Sequence, residues 1–165
     1  MALIRLNNQS ISSVTALPSG IDTGKVLQVV TTTVTTTTSA TSDSYVDVSG
    51  FTISITPSSS SSKVLVSWNI LNGTDNGSSQ QSVPMLKIVR GSTDIYEHAQ
   101  QGMYANWQTS TDTITYLDSP ATTSSITYKL QYKKIGGSGV IKFNSIYAQA
   151  SGIGASTLAL YEIAN

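Results

Sequence analysis

The 165-residue chain contains no cysteine. That excludes disulfides, thiolate nucleophiles and cysteine-based zinc sites outright. Charge is scarce too. Asp, Glu, Lys and Arg make up 11% of the residues, and nine basic residues balance nine acidic ones. Ordinary domains carry about twice that charge. With no net field, composition favours neither nucleic acid nor an anionic membrane as a partner. A single histidine, His98, is available for any Ser-His-Asp relay. No apolar run is long enough for a transmembrane helix. The opening residues, Met1 to Asn8, lack the apolar stretch of a signal peptide, so synthesis in the cytoplasm is expected.

What the chain has in excess is hydroxyl. Serine and threonine make up about 30% of it. Without pattern, such residues would indicate disorder. Here they alternate with apolar residues at a period of two. In Ser125-Ile126-Thr127-Tyr128-Lys129-Leu130-Gln131-Tyr132-Lys133 every second residue is apolar. That is the pattern of a strand with one wet face.

The alternation is confined to Lys25 onward. Residues 1–24 are polar, with isolated apolar residues and punctuation by Pro18, Gly20 and Gly24. They read as an extended arm, either a frayed terminus or a docking segment that orders on a partner. In the docking reading Leu3, Ile4, Leu6, Ile11, Val14 and Leu17 are its anchors. Residues 25–165 read as one domain. Strands are expected at Lys25 to Val30, continuing into the Thr-rich run Thr31–Thr38, and at Tyr45 to Val48, Phe51 to Thr56 and Val64 to Leu71. Further strands are expected at Met85 to Val89, Thr93 to Glu97, Thr113 to Leu117, Ile126 to Tyr132, Val140 to Tyr147 and Thr157 to Ile163. Ser39 to Ser44, the segment from Asn72-Gly73 to about Ser82, and residues 98–112 read as loops. Gly136-Gly137-Ser138-Gly139 reads as a hairpin turn. No window holds a helical period, and eight to ten strands with regular turns predict an all-β antiparallel sandwich or jelly roll.

No motif carries a convincing chemistry. Asp22-Thr23-Gly24 matches the tripeptide of aspartic proteases, which need two carboxylates sharing a proton, but the match is short and a turn explains it fully. The serines lack a nucleophile-elbow context, and His98 reads as a surface-loop residue. Asp43 with Asp47, or Asp75 with Asp94, fall short of the six to eight oxygens calcium takes. Sequons at Asn8, Asn72 and Asn76 read as coincidence in an Asn- and Ser-rich chain. Tyr96, Tyr104, Trp107 and Tyr116 cluster around the segment 98–112. They read either as caps on the end of the core or as contacts for a sugar or protein partner. No catalytic residue, cofactor or metal ligand is assigned.

Together, several strand phrases resemble a known group. They are Gly24-Lys25-Val26-Leu27-Gln28-Val29-Val30, Tyr45-Val46-Asp47-Val48-Ser49-Gly50, Ile53-Ser54-Ile55-Thr56-Pro57, Ser62-Lys63-Val64-Leu65-Val66, Leu86-Lys87-Ile88-Val89-Arg90-Gly91 and Ser156-Thr157-Leu158-Ala159-Leu160-Tyr161-Glu162-Ile163. The chain is similar in these to small virion proteins of tailed, especially marine, bacteriophages. The resemblance implies a homotrimeric jelly roll of the tumour-necrosis-factor type displayed on a virion, with no catalytic residues. The first expectation is a capsid decoration or cement protein, docked by its arm on the major capsid protein or another virion protein. The second is a fibre tip or host-binding module, with Tyr104 and Trp107 meeting a host surface glycan.

Overall fold

The structure, a computed structural model, describes residues 25–75, 82–99, 107–145 and 154–164. The predicted arm of residues 1–24 lies outside the described residues. Ten strands follow one another: β1 (Val26–Val34), β2 (Thr38–Ala40), β3 (Val46–Ile55), β4 (Lys63–Asp75), β5 (Val83–Arg90), β6 (Thr93–Ala99), β7 (Trp107–Asp118), β8 (Ile126–Ile135), β9 (Val140–Phe143) and β10 (Ser156–Ile163). All pairings are antiparallel, and no helix occurs among the described residues.

The strands form two sheets packed as a sandwich. The first runs β1-β10-β4-β7. On the edge of β4 opposite β7, β10 pairs with Lys63–Asn69 and β9 takes over at Asn72–Asp75, carrying β2 on its far side. The second sheet runs β3-β8-β5-β6. The chain passes from β1 to β3 to β4 to β5, then from β6 to β7 to β8 to β10, changing sheet at each of these steps. These two interleaved Greek keys make a jelly roll, as the alternation predicted.

Period-two residues build the core. Val64, Val66, Trp68 and Ile70 on β4 are fully buried, and so are Leu86 and Ile88 on β5, Tyr128 and Leu130 on β8, and Leu158 and Leu160 on β10. Phe143 closes one region, its ring 5.6 Å from Phe51 and 5.7 Å from Tyr132. Each such side chain contributes about 1.5–3 kcal/mol when fully buried, which is what holds the sheets together.

Some expected boundaries move. Asn72-Gly73 does not turn the chain. It lies inside β4, paired with Ser110 and Thr109 on one side and Phe143 and Lys142 on the other. Glycine serves close approach there, since a Cβ at position 73 would sit 2.3 Å from the Gln108 carbonyl oxygen. Most of the expected loop 98–112 is strand: β6 runs to Ala99 and β7 starts at Trp107. Its polarity hid the period, because the inward position taken by Ile114 two residues later is taken here by Asp112. Ser39 and Ala40, read as loop, belong to β2. Ser49-Gly50 does not end a strand but kinks one, with Gly50 at φ +83° where the β3–β8 register shifts. The turn after β8 is as expected, with Gly136 and Gly137 at φ +70° and +47°.

Candidate interaction face

The two outer faces of the sandwich differ in charge. On the second sheet, Asp47, Gln131, Lys87 and Glu97 lie in one cross-strand row. Lys129 and Gln131 donate to Asp47 at 2.9 and 2.8 Å and hold its carboxyl below the usual range. Lys87 reaches Asp94 at 3.0 Å. The Tyr45 ring lies under the ammonium groups of Lys87 and Lys133, 3.9 and 4.6 Å from its centroid, and its hydroxyl donates to Glu97. Burial, then that carboxylate, pushes the Tyr45 phenol well up. This face is a solvated lattice of charge.

The first sheet presents the opposite. Its register aligns Val29, Tyr161, Leu65 and Leu117 in one row, then Thr31, Ala159, Ser67 and Thr115, then Thr33, Thr157, Asn69 and Thr113. None of these twelve positions is charged. Val29 and Leu117, at opposite edges of the first row, are 51% and 54% exposed. Val26 and Leu27 extend the apolar end, at 50% and 38%. Apart from Ala159 the other two rows are hydroxyl and amide, with Thr113 donating to the Asn69 side chain at 2.8 Å, and Lys63 and Lys142 flank the rows on the same side. Contiguous exposed apolar surface of this kind marks an interaction site more often than scattered residues do. No local sequence signal announces this face, because it is assembled from four segments far apart in the chain.

Inside, the buried charged side chains are tied into the scaffold. Lys134 donates to the Gly136 and Gly137 carbonyls and meets Asp43 at 2.7 Å, which fastens the turn after β8. Asp118 binds Arg90 and Tyr128. Glu162 on β10 is fully buried. It accepts from the Gln28 amide at 2.7 Å and from both the backbone N–H and the hydroxyl of Ser58, each at 2.7 Å. Burial alone would raise its pKa, but these bonds outweigh burial and bring the carboxyl down from 4.5 to about 2. The folded state therefore resists the proton that the unfolded chain accepts near 4.5. The stability Glu162 contributes is complete above that pH and is lost as pH falls toward 2. Urea midpoints between pH 5 and pH 2 are expected to decline more steeply in the wild type than in Glu162→Gln. Parallel declines would show that Glu162 does not carry this dependence.

The singled-out residues fall in scattered places. Leu3, Ile4, Leu6, Ile11, Val14, Leu17 and Tyr104 lie outside the described residues, as do Asp22-Thr23-Gly24 and the sequons at Asn8 and Asn76. Trp107 opens β7, paired in register with Asp75. His98 is on β6, opposite Leu86, and not in a loop. Its Nε2 is 4.0 Å from Asp112, and its ring stacks 6.4 Å from Tyr96. Burial pushes the Asp112 carboxyl up, against the Asn72 amide bond at 2.8 Å and the nearby His98. Tyr96 and Tyr116, 6.0 Å apart, pack on the core as caps. Asp43, Asp47 and Asp94 each face a lysine. Asn72 is fully buried, which rules out its sequon as a glycan acceptor in the folded chain.

No known protein family matches the chain, and no curated protein matches it. Among solved structures, it is similar to a mutant VP2 protein of infectious bursal disease virus in derived T=1 particles, with TM-score 0.42 and 12% identity over 84% of this chain. A structure of the Gx strain of infectious bursal disease virus gives TM-score 0.40 and 12% identity over 91% of this chain. This chain spans 37% and 41% of the lengths of those two chains.

Proposed function

We propose that this chain is a virion structural protein without catalytic activity, a bacteriophage capsid decoration or cement protein that assembles as a homotrimer. The observation that carries the reading is the run of three uncharged cross-strand rows on the outer face of the first sheet of a jelly-roll scaffold. A face with twelve uncharged positions is suited to being covered by protein. The charged outer face of the second sheet is suited to water. The resemblance of the strand phrases to small phage virion proteins supports the same reading. So does the use of buried Glu162, Asp118 and Lys134 as fasteners between strands. In this reading copies pack through the first sheet while residues 1–24 dock on the shell, with Leu3, Ile4, Leu6, Ile11, Val14 and Leu17 as anchors. Binding draws on apolar burial and main-chain pairing more than on charge.

The test combines two variants with undecorated capsids. Removal of residues 1–24 is expected to abolish capsid binding and leave the oligomeric mass unchanged. Leu117→Lys, which puts a charge on the face, is expected to shift the native mass toward monomer. Undiminished capsid binding without the arm removes the docking role, and an unchanged mass in Leu117→Lys removes the face. Labelling the chain on intact particles separates capsid decoration from a fibre tip, the reading in which Tyr104 and Trp107 would meet a host glycan.

A further inference from the structure

We infer that β1 is a self-pairing edge, at which a copy of this chain from a neighbouring trimer adds its own β1 antiparallel to the first. The inference deepens the multi-copy reading above and rests on it.

Five strands bound the two sheets, and four of them carry features that keep edges from pairing; β2 is only three residues long. β3 has Asp47 and the kink at Gly50. β6 has Asp94 and Glu97, and its ladder with β5 shifts register between Ile88 and Val89. β7 has Asp112 and Asp118, both turned toward the interior. β1 has neither a charge nor a glycine kink, and its one register shift against β10 lies at its start, between Val26 and Gln28. Its nine residues contain no charge and no proline, and its pairing with β10 is regular from Gln28 to Val34. Among the described residues its other side has no ladder partner. Val26, Leu27 and Val29 stand exposed on it, continuous with the apolar row of the face.

The neutrality of β1 also selects the occupant. A foreign partner is commonly chosen by complementary charge. A strand that pairs with itself about a twofold axis brings the residues at the axis beside their own copies, so a charge there would repel itself. Self-pairing therefore requires neutrality at the centre of the strand, and β1 is neutral throughout. With the axis at Val30, the flanking Lys25 of each copy lies beside Thr35 of the other, so the first charge meets a neutral residue. The symmetry adds a sharper requirement. Pairs in an antiparallel ladder alternate between hydrogen-bonded and open. A symmetric ladder must therefore centre on a residue paired with its own copy.

Because the chain has no cysteine, a single introduced thiol reports only on that residue. Gln28→Cys, Val29→Cys, Val30→Cys, Thr31→Cys and Thr32→Cys are made one at a time in the full chain, with Leu117→Cys as a probe of the face. Retained strand content and thermal melting establish that each variant folds. Under mild oxidation, disulfide-linked dimer is expected to peak at one β1 position and fall at its neighbours. Thr33→Lys, an edge charge, is expected to reduce dimer formed by the best cysteine at least fivefold. Uniform cross-linking along β1, or cross-linking at Leu117→Cys alone, overturns the inference. So does a scan that stays blank until residues 1–24 are removed, which would assign the edge to the amino-terminal segment. Failure to find the chain on a virion would remove the functional reading and leave a β1 peak standing. A blank scan on a chain found on particles would do the reverse.

Discussion

Asn144→Ala is expected to destabilise the fold by about 3–5 kcal/mol and lower the melting temperature by about 10 °C. Asn144 is fully buried just after β9 and sits at φ +56°. Its amide donates to the Thr36 carbonyl at 3.1 Å, and its side-chain oxygen accepts from Ser156 at 2.6 Å. Its backbone N–H bonds Leu71, and its carbonyl accepts from Gly154. One residue thus ties the β1–β2 connection, β4, the end of β9 and the approach to β10. Alanine would take the side-chain donor from the Thr36 carbonyl and leave the Ser156 hydroxyl, which still accepts from the Leu71 N–H, with no acceptor for its own proton, at about 1–3 kcal/mol apiece. It would also hold a left-handed backbone at about 1–2 kcal/mol. Asn144→Gly relieves only the backbone cost, so it should fall between the two. Urea denaturation of the three proteins checks the order. A glycine variant as stable as wild type would show that backbone geometry, and not the side-chain bonds, is what asparagine supplies.

Asp118→Ala is expected to cost a similar amount, about 3–5 kcal/mol. Asp118 ends β7 in the first sheet, while Arg90 and Tyr128 belong to the second. Arg90 Nη1 reaches both carboxylate oxygens at 2.7 and 2.8 Å, and the Tyr128 hydroxyl donates at 2.7 Å. Removing the carboxylate strands a half-buried guanidinium and a buried hydroxyl in the space between the sheets. Burial, then the adjacent carboxylate, pushes the Tyr128 phenol far up, so it remains a donor at any ordinary pH. Tyr128→Phe removes one bond and is expected to cost about 1 kcal/mol. The double variant should fall short of additivity by more than about 0.5 kcal/mol, since both changes act on one network. Additive losses would mean that the bonds act independently.

The jelly roll was legible wherever one face of a strand is apolar. Phe51, Ile53 and Ile55, and Val64, Val66, Trp68 and Ile70, point inward as their spacing required. Legibility failed where a polar residue takes an inward position. Asp112 and Asn72 bond to each other inside the sandwich, and that pairing disguised the start of β7 and the end of β4 as loop. Asn144 gave no warning either, because its role depends on partners at positions 36, 71 and 156. The uncharged face is a different case. It consists of an absence shared by Val26–Val34, Leu65–Asn69, Thr113–Leu117 and Thr157–Tyr161, and only strand pairing brings those absences together. Low overall charge was plain in the composition. Its concentration on one face required the fold.

That one-sidedness has a consequence for how the molecule meets its neighbours. With no net charge on the chain and no ionised side chain in the three rows of the first sheet's outer face, there is little long-range field to guide approach and little for dissolved salt to screen. Contacts made through that face would form at the pace of unsteered diffusion. They would persist at high ionic strength and tighten in strongly hydrated salts such as sulfate, which favour apolar burial. An assembly built this way holds together in brine as well as in dilute buffer.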